Sequence, residues 1–185
     1  MGKREDILTA TLDLITEEGL QSVTFSKIFT KANVGSSTFY HYFSNKEDVV
    51  SEVFVNARAH MGEFILKEYD DTLTTYEKMK AILFNMAEFG FSHPHEMLLI
   101  DNYCDSPFIP EEIRKQPVPA DEIILKIIIE GQKHGIVRDM DPIFSCHIVI
   151  GIITSVIKGD LTGKFLLDEN KIKQTVEICW KAIKV

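Results

Sequence analysis

Apolar side chains recur at helical spacing along almost the whole chain. Near the N-terminus, Ile7, Leu8, Leu12 and Ile15 fall on one stripe of a helix, and Gly19 follows as a stop signal. The same spacing, together with a succession of capping residues, predicts further helices downstream. The predicted helices run over residues 3–18, 24–33, 35–42, 44–69, 74–92, 94–104, 119–134, 141–161 and 168–183. The pattern therefore predicts an all-α fold.

Capping signals define several of these helix ends. Thr24 is a good N-cap for the second helix, and Asn33 ends it because Asn tolerates the left-handed conformation of a tight turn. Ser44 and Glu47 have the spacing of a capping box for the fourth helix. Asp141 precedes a proline and so caps the long apolar helix that follows it.

The isoleucine-rich segment 119–134 could also form a strand, since such side chains favour sheets. Glu122, Lys126 and Glu130 lie four residues apart, which gives one solvated helical stripe with favourable ion pairs. Gly135 then closes the segment. We therefore predict a helix.

Three short helices are predicted within the first fifty or so residues, and long helices follow. A turn of about four residues joins the second and third helices, which is the spacing of a helix-turn-helix. A generic small helical bundle would show the same periodicity, and this alternative remains open at this level. The predicted organisation is a helix-turn-helix domain over residues 1–47 followed by a helical domain over residues 48–185.

Five consecutive ring-bearing residues, 39–43, follow a Gly-Ser-Ser-Thr run. On a helix, Phe39 and Phe43 share the inward face, because positions three and four apart lie together. The side chains that then point outward are Ser36, Ser37, Tyr40 and His41. Such a face can enter a major groove and contact base edges or thymine methyl groups. A solvated surface helix with two exposed aromatic residues is the simpler alternative.

The charge distribution favours the same segment. The formal net charge of −8 argues weakly against binding to nucleic acid, but no acidic residue occurs between Glu18 and Glu47. Lys31 lies in this gap. Four further side chains at the starts of the second and fourth helices are candidates for holding phosphates: Thr24, Ser26, Lys27 and Lys46.

The sequence FSKIFTKANVGSSTFYHYFSNKEDVV resembles the DNA-binding region of the TetR family of transcriptional regulators. The residues that match the family pattern in order are Val34, Thr38, Phe39, Tyr40, Tyr42, Phe43, Lys46 and Glu47. The preceding LDLITEEGLQSVTFSKI also matches, so the resemblance covers about the first 50 residues. Two positions depart from the pattern: Asn33 replaces the usual Gly, and Gly35 replaces a capping Ser, which leaves Ser36 or Ser37 to cap the third helix.

The resemblance implies an all-α homodimer that binds a palindromic double-stranded DNA operator and holds a small-molecule effector in its C-terminal helices. Carried onto this sequence, it implies two groups of contacts: Ser36, Ser37, Tyr40 and His41 with bases, and Thr24, Tyr42 and Lys46 with backbone phosphates. We therefore expect a ligand-responsive regulator, a repressor released by a small apolar molecule. The alternative is a regulator-fold co-activator or small-molecule-binding protein without direct DNA reading, which the weak basic charge and Gly35 leave open.

The last two long helices, near 141–161 and 168–183, are apolar enough to form a dimer interface. Gly151 and Ser155 lie four apart, so another helix can approach them closely. The opposing interpretation is that the first of these helices is simply central in its own subunit. His147, which lies among isoleucines, is expected to be a hydrogen-bonded core residue.

Six aromatic or adaptable side chains are candidates for the lining of a ligand pocket: Met61, Phe64, Met86, Phe89, Tyr103 and Phe108. Each could equally be plain core. His93 and His95, with Cys104 or Asp105 nearby, include zinc ligand types, but Pro94 bends the chain between the two histidines. We expect no metal, no cofactor and no enzymatic activity, because no nucleophile motif, phosphate-binding glycine loop or useful carboxylate pair occurs.

Composition places the chain among soluble globular proteins, with 45% apolar and 26% charged residues. No apolar run is expected to reach the roughly 18 residues of a membrane helix, so no membrane association is predicted. The three cysteines are an odd number at long spacings, which suits free thiols in a reducing compartment. The predicted location is the cytoplasm.

Overall fold

The computed structural model describes residues 2–185, so the first residue of the predicted 1–47 domain lies outside it. The α-helices of this range are α1 Lys3–Glu18, α2 Phe25–Ala32, α3 Ser36–Tyr42, α4 Lys46–Ile65, α5 Thr75–Ser92, α6 Pro94–Tyr103, α7 Glu111–Arg114, α8 Pro119–Lys133, α9 Pro142–Leu161 and α10 Glu169–Ile183. The all-α prediction is confirmed, including the helical assignment of the isoleucine-rich segment.

Local signals account for both ends of α2. The Thr24 hydroxyl accepts a hydrogen bond from the Lys27 amide at 3.4 Å, as expected of an N-cap. At the other end Asn33 is left-handed, with φ 50 and ψ 54, and its N–H donates to the carbonyls of Phe29 and Thr30. Asn tolerates this conformation because its short side chain can hydrogen-bond locally. Both predicted caps are confirmed.

Two predicted caps are wrong. No side chain caps α3, whose N-cap is Gly35, so the hydroxyls of Ser36 and Ser37 are not used there. At α4 the capping residues lie one position later than expected. The Asp48 amide donates to Asn45 Oδ1 at 2.9 Å, and the Asp48 carboxylate accepts from the Ser44 amide at 2.9 Å. Asn is as good an N-cap as Ser, so the sequence pattern allowed both registers.

The periodic pattern also missed two short elements and one helix end. A 3-10 turn at Leu20–Ser22 and the four-residue α7 are too short to show an apolar period. Helix α4 ends at Ile65 rather than near residue 69, and the chain leaves it through Glu68 in a left-handed conformation with φ 59.

The chain divides into two compact units. The first comprises residues 2–59 and 95–116, and the second comprises residues 60–94 and 117–185. The functional division predicted after residue 47 is a different kind of boundary and stays a prediction. The first unit has its own core, in which Ile7, Ile28, Phe39 and Phe54 are fully buried. The later segment 95–116 contributes Leu99 and Ile109 to that core.

The second unit is a helical bundle built around α5, which packs against α8, α9 and α10. Gly90 allows α9 to approach α5 closely, because a Cβ at this position would lie 2.2 Å from Ile157 Cδ1. Ile153 and Ile157 are buried on α9, and Val176 and Cys179 are buried on α10. Burial is therefore confined to one side of α9 within the described chain.

The opposite side of α9 is exposed. Ile143 and Phe144 are each 58% accessible, and His147, Gly151 and Ser155 continue the exposed stripe. The expectation that His147 is a core residue is therefore wrong: its helical phase places it with Phe144 and Gly151 on the outer face.

The length of apolar chain in α9 was also underestimated from the sequence. An 18-residue stretch of this 20-residue helix has a mean hydropathy of 1.6, so α9 is long and apolar enough to cross a membrane by length and composition alone. Only 33% of that stretch is buried in this chain.

Candidate nucleic-acid interface

Helix α3 presents one face to the core and the opposite face to solvent. Phe39 is fully buried and Phe43 nearly so, as helical spacing predicts. The predicted base-facing side chains all lie on the exposed side: Ser36, Ser37, Tyr40 and His41. These side chains are short or aromatic, so the ridge that they form can approach base edges without interposing a long cation.

The rings of this ridge are braced by the core beneath it. Tyr40 is 54% exposed, yet its ring packs edge-on against Phe39 at a centroid distance of 5.5 Å and lies 6.0 Å from the ring of Phe25 in α2. His41 and Tyr42 form a second ring pair at 4.8 Å. Side chains that are already ordered lose less conformational entropy when they bind a partner.

Apart from Tyr42, which is exposed at the C-terminal end of α3, the predicted phosphate-facing side chains lie at two helix N-termini. Thr24, Ser26 and Lys27 are exposed at the start of α2, where Thr24 is the cap. Lys46 begins α4 and is half-buried, and its Nζ donates to the Val23 carbonyl at 3.2 Å. Helix N-termini favour anions through their unpaired N–H groups and the helix dipole, so the backbone adds to what these side chains offer.

Two basic side chains near this surface were not among the predicted site residues. Lys3 Nζ donates to the Asn33 carbonyl at 3.4 Å, beside the turn that precedes α3. The Arg4 guanidinium lies 5.8 Å from the centre of the Phe43 ring and pairs with Glu52. The Lys-Arg pair near the N-terminus was visible in the sequence, but its position beside the turn depends on the packing of α1.

The lysines of α2 are paired with carboxylates at the end of α1. Lys27 Nζ pairs with Glu18 and also donates to the Ser22 carbonyl at 3.0 Å. Lys31 Nζ contacts both oxygens of the Glu17 carboxylate at 2.8 Å and lies 3.7 Å from Asp13. Hydrogen bonding to Glu17 raises the pKa of Lys31, although partial burial opposes this shift.

The basic character of this segment is therefore weaker in space than along the chain. The sequence has no acidic residue between Glu18 and Glu47, but the packing of α1 on α2 brings carboxylates from before this gap onto Lys27 and Lys31. Antiparallel or crossing helices place residues in contact that linear charge counting treats as separate.

The six predicted pocket residues are divided between the two units. Met61, Phe64, Met86 and Phe89 belong to the second unit, where the rings of Phe64 and Phe89 lie 5.6 Å apart. Two candidates belong to the first unit. Tyr103 Oη accepts a hydrogen bond from the Leu20 amide at 3.2 Å, and Phe108 is 48% exposed. No single compact unit contains all six, and their role in binding a ligand stays a prediction.

The histidines of the SHPHE segment are not brought together. His93 stacks on Phe89 in the second unit, whereas His95 Nδ1 lies 3.5 Å from Asp13 in the first. Among residues 2–185, no group of three or more His, Cys, Asp or Glu side chains could hold a metal ion.

Family models match nearly the whole chain. Residues 7–53 match the model described as bacterial regulatory proteins, tetR family, and residues 54–185 match a tetracyclin repressor-like C-terminal domain. The first match contains all the predicted DNA-facing residues, and the second contains α5 to α10 together with most of α4.

Individual proteins show the same likeness over most of their length. The HTH-type transcriptional regulator YhgD of Bacillus subtilis is 24% identical over 157 residues, which cover 84% of this chain and 82% of that protein. A TetR family transcription regulator from Marinobacter aquaeolei has a similar structure, with a TM-score of 0.87, 18% identity and coverage of 98% and 95%. The fatty acid degradation regulator FadR of Bacillus halodurans has a TM-score of 0.75, 18% identity and coverage of 97% and 95%.

Proposed function

This chain belongs to the TetR family of bacterial regulatory proteins, and we propose that it is a cytoplasmic repressor that binds a palindromic operator as a dimer and is released by a small apolar molecule. The observation that carries the proposal is the exposed ridge of α3, on which Tyr40 stands over the buried Phe39.

In the proposed complex, α3 lies in the major groove. Ser36, Ser37, Tyr40 and His41 contact base edges, while the backbone on either side is held by Thr24, Ser26, Lys27, Tyr42 and Lys46. The hydroxyls of Ser36 and Ser37 can donate and accept, so they suit either kind of base edge. The phenol of Tyr40 extends this reach by the length of a ring.

The proposed dimer forms through α9 and α10. The exposed side of α9 carries Ile143 and Phe144, and α10 adds Ile178, which is 54% exposed. A Cβ at Gly151 would meet no atom within 4 Å, so this stretch of α9 is open to a close-packed partner helix. A two-fold axis that pairs these faces would bury them and present two α3 helices to half-sites about 34–36 Å apart.

The proposed effector is an apolar molecule bound in the second unit. Met61, Phe64, Met86 and Phe89 give that unit a group of aromatic and adaptable side chains on α4 and α5. The regulator of Bacillus halodurans is named for fatty acid degradation, and an apolar effector is consistent with that name. Binding would favour a dimer conformation whose α3 helices no longer match successive major grooves.

Operator binding by single-residue variants tests the proposal. Tyr40→Ala should weaken binding to the operator while leaving random-sequence binding almost unchanged, with a loss of about 1–3 kcal/mol. Lys46→Ala should weaken binding to all sequences and reduce the salt slope by about 1. Tyr76→Ala, at a 41% exposed tyrosine of the second unit, is the matched control. Operator affinity that does not change in Tyr40→Ala would remove α3 as the reading surface.

The pairing of Lys27 with Glu18 and of Lys31 with Glu17 favours one alternative function. With these charges engaged, the chain could act as a regulator-fold co-activator or small-molecule-binding protein without direct DNA reading. Gel-shift assays with DNA from beside its own gene distinguish the two functions, because only the repressor forms a salt-sensitive, sequence-specific complex.

A further inference from the structure

The end of α1 carries two carboxylates where a helix favours cations. Glu17 and Glu18 occupy its last turn, which has no basic residue. The C-terminal end of a helix dipole is negative, so acidic side chains there are unfavourable. Their contacts offset this cost, because Glu17 lies on Lys31 and Glu18 on Lys27.

We propose that Glu18, assisted by Glu17, acts as an internal counterion and lowers the affinity of the chain for DNA phosphate. This inference rests on the proposed function, since it concerns how tightly the same surface binds the DNA backbone. The partner in question is the phosphate backbone, which is the same in an operator and in all other DNA.

Competition between two anions for one ammonium gives the physical reason. Lys27 is exposed at the start of α2, and it can contact a phosphate only by giving up Glu18 or sharing its charge with it. An unpaired lysine gains affinity because phosphate neutralisation releases a condensed counterion. When Lys27 instead breaks its pair with Glu18 to contact a phosphate, the freed carboxylate takes up a cation from solution. This uptake cancels much of the affinity gained by counterion release.

The same phosphate contacts serve specific and non-specific complexes. They supply nearly all of the affinity for random DNA, whereas base contacts add to it only at the operator. A carboxylate that weakens the phosphate contribution therefore lowers affinity for both kinds of DNA by a similar factor. More of the protein then stays free in solution, while its preference for the operator over random DNA is unchanged.

Isosteric removal of the carboxylate charge tests this inference. Glu18→Gln should raise affinity for a random-sequence duplex by roughly threefold to fivefold, the size of one exposed ion pair, and steepen the log K against log salt slope by up to about 0.9. Glu17→Gln should have a smaller effect in the same direction, because Lys31 keeps Asp13 at 3.7 Å. Affinities are measured by fluorescence anisotropy between 50 and 200 mM KCl, concentrations that bracket physiological salt.

Two controls separate local pairing from net charge and from folding. Glu169→Gln makes the same charge change at the Glu169–Lys173 pair of the second unit and should leave both the affinity and the slope nearly unchanged. In a Lys27→Gln background the Glu18 substitution should lose most of its effect, because the two residues act through one contact. Thermal melting of each variant confirms that the fold is retained.

The outcomes are distinguishable from those of the proposed function. If the wild-type protein binds DNA and Glu18→Gln binds random DNA no more tightly than the wild type does, the counterion role is overturned and the proposed function is not. An equal gain in Glu169→Gln also overturns it. If neither the wild type nor Glu18→Gln binds any duplex, both proposals fail, whereas DNA binding that emerges only in Glu18→Gln supports the internal counterion.

Discussion

The two compact units differ in how locally their surfaces are assembled. In the first unit, every predicted DNA-facing residue comes from positions 24–46, and one buried ring, Phe39, supports the exposed face above it. In the second unit, the apolar side chains of α4, α5, α9 and α10 come from segments separated by up to a hundred or so residues along the chain. A surface built from one contiguous segment can be predicted from local sequence, whereas a cavity built from distant helices cannot.

The first prediction concerns the ring cluster that defines the first unit. Phe39→Ala should destabilise the protein by about 3–5 kcal/mol, because Phe39 is fully buried and contacts the rings of Phe25, Phe29 and Phe43. Chemical denaturation followed by circular dichroism measures the loss. Phe108→Ala, at a 48% exposed ring of the same unit, should cost less than about 1 kcal/mol and is the matched control. Comparable losses in both variants would contradict the assignment of Phe39 as the central core residue.

The second prediction concerns the helix contact that organises the second unit. Gly90→Ala should destabilise it by about 1–2 kcal/mol, because overpacking against Ile157 outweighs the gain in helix propensity. The atom that obstructs the new Cβ is Ile157 Cδ1, at 2.2 Å.

A double-mutant cycle sharpens this test. Ile157→Val removes Cδ1, so the pair Gly90→Ala with Ile157→Val should be less destabilised than the sum of the two single variants. Strict additivity would mean that α5 and α9 do not meet at this point. Urea unfolding of all four proteins gives the coupling energy.

The third prediction separates structural from ligand-binding roles among the predicted pocket residues. Tyr103→Phe should destabilise the protein by about 1 kcal/mol, because it removes the hydroxyl that accepts from the Leu20 amide. The same variant should retain its affinity for an apolar probe such as a fluorescent fatty acid. If Tyr103→Phe lost affinity for the probe but kept its stability, Tyr103 would instead be assigned to the ligand pocket.

The smallest expected effect lies in the turn before α3. Asn33→Gly should change stability by no more than about 1 kcal/mol, since Asn already adopts the left-handed conformation with φ 50 that Gly adopts without strain. Asn33→Ala should be more destabilising, because Ala has neither this freedom nor a hydrogen-bonding side chain. Thermal melts of the two variants, compared directly, check the order.

Predictions failed where two residues could serve the same local role or where packing set the orientation. Ser44 and Asn45 are equally good caps, and only the structure chose Asn45. His147 lies among isoleucines in the sequence, but the phase of α9 places it on the exposed stripe. The sequence shows no acidic residue close to Lys27 on its C-terminal side, but the packing of α1 on α2 places Glu18 against it.

The sequence by itself determined the all-α fold, the caps of α2 and the outward face of α3, because each depends on residues within a few positions of one another. Helical periodicity fixes which neighbours share a face, and a short polar side chain fixes where a helix starts or turns. Only the tertiary structure decided which charges are paired, which side of α9 is left uncovered and that Tyr103 supports the first unit. These depend on contacts between helices far apart in the chain, whose relative orientation no local pattern encodes.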